Sequence, residues 1–161
     1  MKLNIKDQIP GVEIFHLVDG QPKISNIREI LGKEKIILFG LPGAFTSTCS
    51  KLHLPGYVAN ADKIKAKGID NIFCLSVNDP FVMNAWGEAN NTGGKIKMLS
   101  DPYLLFTKAI GAEVDRNSKG MGIRSKRYAM VIENLEVINI QVEKETKQCG
   151  LSSAEGVLDL L

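Results

Sequence analysis

The feature that most constrains the fold is an apolar run, Lys35 to Leu41, that stops abruptly at Pro42-Gly43. A short run of aliphatic and aromatic residues bounded by a turn signal predicts a buried strand that ends in a loop. Residues 46–48 (Thr-Ser-Thr) follow, and each of them is a common helix N-cap. The stretch from Gly56 to Lys67 is compatible with a helix. The sequence therefore predicts a strand, a tight loop and a helix, with Cys49 near the start of that helix.

Later segments continue this alternation of strands and helices. The patterns predict strands over Asn71–Val77 and Lys95–Leu99, with a helix over Phe81–Ala89, capped by Asn78-Asp79-Pro80, between them. A further helix is predicted from Asp101-Pro102 to Ile110, where Gly111 ends it, followed by a loop over Glu113–Lys126. The last predicted elements are a hairpin of Tyr128–Glu133 and Val137–Val142, joined at Asn134, and a helix from Ser152 or Ser153 to Leu161. Two parallel strands with a crossover helix, followed by an antiparallel hairpin and a closing helix, predict an α/β class. The specific expectation is a thioredoxin-like mixed sheet with helices on both faces.

Size and charge narrow the range of partners. The chain has 161 residues, 44% of them hydrophobic, which suffices for one substantial core and predicts a single domain over residues 1–161. Its 20 Lys and Arg against 18 Asp and Glu give a net charge of +2, too small to favour nucleic acid or membrane partners. No apolar run approaches the ~20 residues that span a bilayer, and residues 1–8 lack a signal-peptide pattern. We therefore expect a soluble protein.

Three cysteines, at positions 49, 74 and 149, form no CxxC pair and no metal-finger spacing. An odd number of cysteines fits a reducing compartment better than a secreted disulfide scaffold. The expected location is therefore cytoplasmic, and neither a metal centre nor a cofactor is expected.

Cys49 is the residue whose position suggests chemistry. A thiol reacts as its thiolate, and a free cysteine is mostly protonated at neutral pH unless positive potential lies nearby. At a helix start, unpaired backbone N–H groups and the positive end of the helix dipole supply that potential. Thr46, three residues earlier, would lie about one turn away, within reach of the sulfur and of a bound oxygen. An arbitrary cysteine is more often a small buried hydrophobe, but a loop between strand and helix is where reactive groups are exposed.

The segment Leu41 to Ser50 (LPGAFTSTCS) closely resembles the peroxidatic signature PxxxTxxC of peroxiredoxins, in the PGAFTxxCS form of the type II (peroxiredoxin 5) subfamily. The resemblance extends over nearly the whole chain. Further matching segments are His53–Gly56 (HLPG), Cys74–Met83 (CLSVNDPFVM) with Ala85-Trp86, and Arg124–Tyr128 (RSKRY).

This resemblance implies a thiol peroxidase in which Cys49 attacks the hydroperoxide. In the family pattern Thr46 hydrogen-bonds the peroxide, Pro42 shields the site from water, and the Arg127 guanidinium stabilises the thiolate. Fixed donors aimed at the departing oxygen stabilise the transition state more than the ground state. Without the resemblance, Arg127 would be interpreted as an ordinary surface arginine of the basic stretch Lys119 to Arg127.

His53 lies four residues after Cys49 and admits two interpretations. On an uninterrupted helix it would share a face with Cys49 and serve as the base of a Cys/His pair. Pro55 makes that helix doubtful, and the resemblance instead implies that His53 belongs to a structural hydrogen-bond network, with Glu13 as a candidate partner.

Attack on a peroxide leaves Cys49 as a sulfenic acid, which must condense with another thiol before further oxidation makes it inert. Cys149 resembles, by region, the resolving cysteine of atypical two-cysteine members, but it stands about two residues early and Leu151 occupies the expected position. Cys74 falls in a predicted buried strand, where an inert core cysteine is the commoner outcome. We therefore expect an external reductant, glutathione with glutaredoxin or else thioredoxin, and keep Cys149 and Cys74 as candidate resolving residues.

Two other functions fit parts of the sequence. A thiol-disulfide oxidoreductase fits the thioredoxin-like order, but Thr46 stands where such enzymes carry the first cysteine of CxxC. A redox-responsive interaction module would use oxidation of Cys49 to change assembly rather than to remove peroxide. The resemblance also implies a homodimer, with loops near the active site at the interface. The aromatic and proline residues that could contribute to this interface are Phe45, Pro80, Phe81 and Trp86. The alternative is that these residues are buried in the core.

Overall fold

The computed structural model describes all 161 residues and is built around one mixed sheet of seven strands. The chain has nine strands in all, which are β1 (Glu13–Val18), β2 (Gln21–Asn26), β3 (Ile36–Gly40), β4 (Asn71–Ser76), β5 (Lys97–Ser100), β6 (Glu113–Asp115), β7 (Ile123–Ser125), β8 (Tyr128–Glu133) and β9 (Glu136–Val142). The helices are α1 (Ile27–Leu31), α2 (Leu54–Ala66), α3 (Pro80–Ala89), α4 (Leu105–Ala109) and α5 (Ala154–Leu158). The large sheet has the order β2-β1-β5-β4-β3-β8-β9, and β6 and β7 form a separate pair.

Strand β3 lies inside the sheet, and all five of its residues are buried. It pairs in parallel with β4, where Phe39 faces Cys74, and antiparallel with β8, where Gly40 faces Tyr128. Helix α2 connects β3 to β4, so the two strands and the helix form the predicted βαβ unit. The strand predicted over Lys35 to Leu41 is therefore confirmed, because an apolar run buried on both sides fits only the interior of a sheet.

Helices cover both faces of the sheet, as predicted. Successive side chains of a strand point to opposite faces, so Ile37 and Phe39 belong to one core cluster while Ile36 and Leu38 belong to another. The first cluster packs beneath α2, α3 and α5, and the second beneath α1 and α4. The prediction of an α/β chain with a mixed sheet between two helical layers is confirmed.

The hairpin of β8 and β9 is also confirmed. Asn134 and Leu135 both have positive φ, 52° and 64°, which is the backbone conformation of a type I′ two-residue turn. A register shift between Val131 and Ile132 bends the ladder. The chain then leaves β9 and crosses over the end of the sheet before α5.

Two helices are shorter than the sequence predicts. Helix α4 begins at Leu105 rather than at Asp101-Pro102, because Leu104 adopts a left-handed conformation with φ of 59°. The Asp101 carboxylate instead accepts hydrogen bonds from the backbone N–H groups of Phe106 and Thr107 at the helix start. The last helix, α5, is capped by Ser153 as expected but ends at Leu158 rather than at Leu161.

The prediction of a loop over Glu113–Lys126 is wrong in part, because β6 and β7 form a short antiparallel arm there. Each strand has only three residues, and most of their side chains are exposed or half-buried, so no alternating apolar pattern marks them. A single-turn helix, Asn117–Lys119, lies at the tip of the arm.

Residues 13–31, for which the sequence predicted no element, form the hairpin of β1 and β2 followed by α1. Strand β2 is polar and largely exposed at the sheet edge, and it tolerates Pro22 because an edge strand does not need every N–H. No helix of the molecule combines the length and the apolar character that a bilayer crossing requires.

Candidate active site

Cys49 lies where the loop after β3 turns into a helix. Residues 47–48 form the first helical positions, and the chain passes at once into a π-helical turn, Cys49–His53, that continues as α2. The Leu54 N–H donates to the Cys49 carbonyl five residues back. Such turns are rare and occur frequently at functional sites. Cys49 is thus near the helix start as predicted, but α2 proper begins at Leu54 rather than at Gly56.

None of residues 46–48 caps this helix with its side chain. Thr48 makes no capping hydrogen bond, and the Thr46 hydroxyl donates to the Gly43 carbonyl, 2.8 Å away. The capping prediction is therefore wrong. The consequence for the site is that the Thr46 oxygen, whose proton is engaged, is left with lone pairs that can accept a hydrogen bond from a ligand.

Arg127 connects the parts of the site. Its side chain is only 1% exposed, and its Nη2 donates to Cys49 Sγ at 3.1 Å. Its Nη1 donates to His53 Nδ1 at 2.9 Å, and its Nε and Nη2 both donate to the Thr146 carbonyl, at 3.0 and 2.9 Å. The structure thus places Arg127 in contact with the sulfur, not on the surface of the basic stretch. A guanidinium offers a planar set of donors that suits this bridging role.

His53 is neutral and its protonation is determined by its neighbours. Because an arginine can only donate, Nδ1 of His53 must accept from Arg127, and the ring proton is assigned to Nε2. Nε2 then donates to the Ser152 carbonyl at 2.9 Å. Burial and the positive charge of Arg127 lower the pKa of His53 to about 3. The hydrogen bond to Ser152 acts in the opposite direction but is the smaller effect. To act as a base for Cys49, His53 would need a free Nδ1 lone pair, but that lone pair already accepts from Arg127. His53 therefore belongs to a structural hydrogen-bond network.

The carboxylate of this network is Glu143, and the predicted partner Glu13 is wrong. Glu13 is the exposed first residue of β1 and makes no hydrogen bond to His53. One oxygen of Glu143 accepts from the Gly150 N–H and from both the N–H and the hydroxyl of Ser152. Burial opposes ionisation, but these hydrogen bonds hold the pKa of Glu143 below its ordinary value. Glu143 therefore fixes the segment whose Ser152 carbonyl receives His53.

Pro42 is buried, and two side chains from other elements hold the loop that carries it. Arg124 Nη1 donates to the Pro42 carbonyl at 3.2 Å, and Asn78 Oδ1 accepts from the Ala44 N–H at 2.9 Å. Gly43 lies between them, and a Cβ there would approach Arg124 Nη1 to 2.6 Å and Asn78 Oδ1 to 3.2 Å. The loop can pass between these two groups because residue 43 has no side chain.

A cavity of about 290 Å³ opens beside the site and is called the mouth below. It brings together three of the predicted catalytic residues, Pro42, Thr46 and Arg127. Cys49 itself is fully buried beneath them. The remaining residues that line the mouth are Ser47, Thr48, Arg116, Lys119, Met121, Thr146 and Lys147.

The other two cysteines have different surroundings. Cys74 is fully buried in β4, and burial raises its pKa well above the ordinary value. Cys149 is half-buried in the segment between β9 and α5. Its pKa is raised to about 11 by burial and by the nearby charge of Glu143, with Arg127 acting in the opposite direction. All three thiols are free.

The aromatic residues divide into two groups. Trp86 and Pro80 are buried, and Trp86 Nε1 donates at 3.0 Å to the hydroxyl of Ser50, the neighbour of Cys49. Phe45 and Phe81 project into solvent, with 61% and 57% of their surface exposed.

Several contributors to the site have no signature in the sequence. Thr146 and Ser152 act through backbone carbonyls, which any residue provides, and Ser152 also receives the Tyr57 hydroxyl at 2.9 Å. Asn78 and Arg124 lay within the segments that resemble the family, and that resemblance was the only signal for them. His, Cys, Asp and Glu side chains nowhere gather in threes that would hold a metal ion.

Comparisons with known proteins show what this chain is similar to. The family model for redoxins matches residues 5–158. Peroxiredoxin-2D of Arabidopsis thaliana is 41% identical over 99% of this chain and 98% of its own. Among solved structures, reduced Prx3 from Vibrio vulnificus in complex with hydrogen peroxide is 42% identical with a TM-score of 0.92 over 98% of both chains. Peroxiredoxin 5 from Alvinella pompejana is 34% identical with a TM-score of 0.85, over 97% of this chain and 96% of that one.

The buried neutral His53 predicts a particular dependence of stability on pH. Its folded pKa of about 3 lies below the ordinary value of 6.5, so the unfolded chain takes up a proton in that window and the folded chain does not. The free energy of unfolding should fall as the pH drops below 6.5, by at most about 1.4 kcal/mol per pH unit from this group. His53→Gln removes the group, so the stability difference from the wild type should narrow on acidification.

Urea unfolding of both proteins at a series of pH values measures this difference. It should stay constant above neutrality, where His53 is uncharged in both states. A difference that is equally constant down to about pH 4 would contradict the assignment.

Proposed function

Because the chain belongs to the redoxin family and is a peroxiredoxin enzyme, we propose that it reduces hydrogen peroxide and organic hydroperoxides through a sulfenic acid at Cys49. The proposal extends to an external thiol as reductant, with antioxidant defence as the role. The observation that carries it is the hydrogen bond of 3.1 Å from Arg127 Nη2 to Cys49 Sγ, made between two fully buried side chains.

In the proposed reaction the Cys49 thiolate attacks the hydroxyl oxygen of the hydroperoxide. An S–O bond forms while the O–O bond breaks, so the sulfur is oxidised to a sulfenic acid. The departing oxygen leaves as hydroxide or alkoxide and takes a proton from water, giving water or an alcohol. The proposed scheme has no side-chain base, because the nucleophile enters it as the thiolate and the Nδ1 lone pair of His53 is engaged by Arg127.

Arg127 and Thr46 have separate tasks in this step. The guanidinium provides a fixed positive charge beside the sulfur, which favours the thiolate. It also lines the mouth, where negative charge appears on the departing oxygen. The Thr46 hydroxyl donates to Gly43, so its oxygen is free to accept a hydrogen bond from the hydroxyl group of a bound hydroperoxide. Buried Pro42 covers the site and limits access of water.

The state of Cys149 favours an external thiol over an internal disulfide. A thiol with a pKa of about 11 is almost entirely protonated at neutral pH and attacks slowly. Cys74 is less suited still, because it is buried in β4. A small thiol, or a thiol protein such as glutaredoxin or thioredoxin, therefore remains the proposed reductant. Three free cysteines support a reducing location, for which we propose the cytoplasm.

A homodimer is proposed from the two exposed phenylalanines. The hydrogen bond from the Ala44 N–H to Asn78 joins the loops after β3 and β4, so Phe45 and Phe81 project from adjacent segments. Phe45 does so with a positive φ of 60°, a backbone conformation that is costly for a bulky residue. Paired exposed aromatics beside an active site are explained most simply by burial against a second copy.

Replacing Arg127 tests the catalytic assignment. We expect Arg127→Gln to lower the second-order rate constant for oxidation by hydrogen peroxide by about 10²–10³-fold, because it removes the charged donor at the sulfur. Arg127→Lys should retain more of the rate than Arg127→Gln, because it keeps the positive charge although it loses the planar set of guanidinium donors. Rapid mixing with Trp86 fluorescence measures this, because Trp86 is hydrogen-bonded beside Cys49.

Arg28→Gln, on the opposite face of the sheet, is the control for loss of an arginine, and thermal unfolding checks that each variant folds. Cys49→Ser should abolish the signal. Equal rates for Arg127→Gln and the wild type would contradict the proposed role.

Intact mass spectrometry tests the external reductant. After one equivalent of hydrogen peroxide and without added thiol, the protein should gain one oxygen atom at Cys49 and react with dimedone. The reason is that no internal thiol is sufficiently ionised to condense with the sulfenic acid. A stable loss of two hydrogens that disappears in Cys149→Ser, but persists in Cys74→Ser, would show an internal disulfide instead.

Sedimentation velocity tests the dimer. The wild type should sediment as a dimer, and Phe45→Lys should shift it towards the monomer because a charge would have to be buried at the interface. Ile5→Lys changes an apolar residue that is 52% exposed and lies near the β8–β9 turn, at the opposite end of β3 from the two active-site loops, and it should leave the dimer intact. A monomeric wild type would refute this part of the proposal.

A further inference from the structure

A second cavity, of about 650 Å³, adjoins the mouth and is called the outer groove here. The two cavities share four residues of their walls, so the outer groove lies directly beside the mouth of the active site. The shared residues are Arg116, Lys119, Thr146 and Lys147. Thr146 is also the residue whose carbonyl holds Arg127, so the outer groove begins directly at the catalytic machinery.

The outer groove is strongly positive, although the chain as a whole carries only +2. Five of its ten lining residues are cationic and two are acidic. Both acidic residues are engaged: Glu145 pairs with Lys147 at 2.9 Å, and one Glu143 oxygen accepts three hydrogen bonds. Lys119 and Lys144 make no ion pair with the chain's own carboxylates. The five cationic residues are Arg116, Lys119, Lys126, Lys144 and Lys147.

Arg116 is one of the cations that the two cavities share. Its Nε is buried and has no hydrogen-bond partner. Its backbone N–H donates to the Gly122 carbonyl within the arm of β6 and β7, which fixes the residue in place. Nε is shielded from the groove, but the half-buried side chain lines both cavities, where its other N–H groups can donate to an anion.

From this geometry, and resting on the external reductant proposed above, we infer that the outer groove binds the carboxylates of a small anionic thiol. Its thiol group would then reach Cys49 through the mouth. The thiol attacks the sulfenic acid, an S–S bond forms, the S–O bond breaks and water leaves. A second thiol attacks the resulting mixed disulfide, releasing the Cys49 thiolate and the oxidised disulfide of the reductant.

The size of the two cavities favours the reductant over the oxidant as the occupant. Hydrogen peroxide needs only the mouth, where Thr46 and Arg127 lie. The outer groove has the volume typical of sites for small organic ligands, roughly 300–1,000 Å³. A cationic groove also raises the local concentration of an anion and accelerates its encounter in a salt-dependent manner.

The test measures the two half-reactions separately by double mixing. Protein is first oxidised with one equivalent of hydrogen peroxide, and Trp86 fluorescence shows whether the peroxidase step itself occurs. The oxidised protein then meets either glutathione, which carries carboxylates, or neutral β-mercaptoethanol. Failure of the first step would count against the proposed function, whereas the ratio of the two thiol rates tests the groove alone.

Lys119→Gln/Lys144→Gln removes two exposed charges that no carboxylate of the chain engages. At low ionic strength we expect the rate with glutathione to fall about tenfold, the rate with β-mercaptoethanol to change less than about twofold, and added salt to reduce the difference. Lys33→Gln/Lys63→Gln, two exposed lysines outside both cavities, should leave the ratio of the two rates unchanged.

Two outcomes would overturn the inference. Equal effects on both thiols, or no effect, would mean that the groove does not recognise the carboxylates. A further arm compares oxidation by a fatty-acid hydroperoxide, which carries a carboxylate, with oxidation by neutral cumene hydroperoxide. If the double variant is oxidised more slowly by the fatty-acid hydroperoxide only, and its rate with glutathione does not change, the groove serves the oxidant and not the reductant.

Discussion

The buried guanidinium of Arg127 is the constraint on which the active site depends. A charge removed from water costs several kcal/mol unless its donors and its charge are matched. Arg127 meets that requirement with partners from two segments far apart in the chain. Cys49 and His53 come from the π-helical turn, and the Thr146 carbonyl comes from the segment after β9. Among these three partners only the sulfur of Cys49 can carry a negative charge, so in the proposed reaction the guanidinium and the thiolate would stabilise each other.

The pairing of β8 with β3 positions that guanidinium. Arg127 immediately precedes β8, which pairs with β3, and the loop after β3 leads to Cys49. The ladder between these strands therefore sets the distance between cation and sulfur. Glu143 extends the arrangement, because it holds the segment that presents the Ser152 carbonyl to His53. A neutral histidine in this position accepts from Arg127 without adding a second positive charge next to the first.

The parts of this architecture that were predictable from the sequence are those with long apolar patterns. Strands β3, β4 and β8 are buried over most of their length, and burial produces the pattern. Strand β9 is mostly half-buried, and it was predicted from its apolar residues together with the turn at Asn134. The arm of β6 and β7 was not predicted, because strands of three residues at the surface are too short to show an alternation of apolar and polar side chains. Within the site, residue types alone could not distinguish Glu13 from Glu143. Nor could they reveal Thr146, because a backbone carbonyl acceptor becomes specific only when the fold places it.

The three cysteines show how environment divides identical side chains into different roles. Cys49 receives a hydrogen bond from Arg127, whereas Cys74 faces Phe39 across two buried strands. Burial without a contacting donor favours the neutral thiol, which is why the pKa of Cys74 lies well above its ordinary value. Cys149 is half-buried, and burial, reinforced by the nearby charge of Glu143, raises its pKa although Arg127 acts in the opposite direction. The contact with the Arg127 guanidinium is therefore the structural feature that distinguishes Cys49 from the other two cysteines.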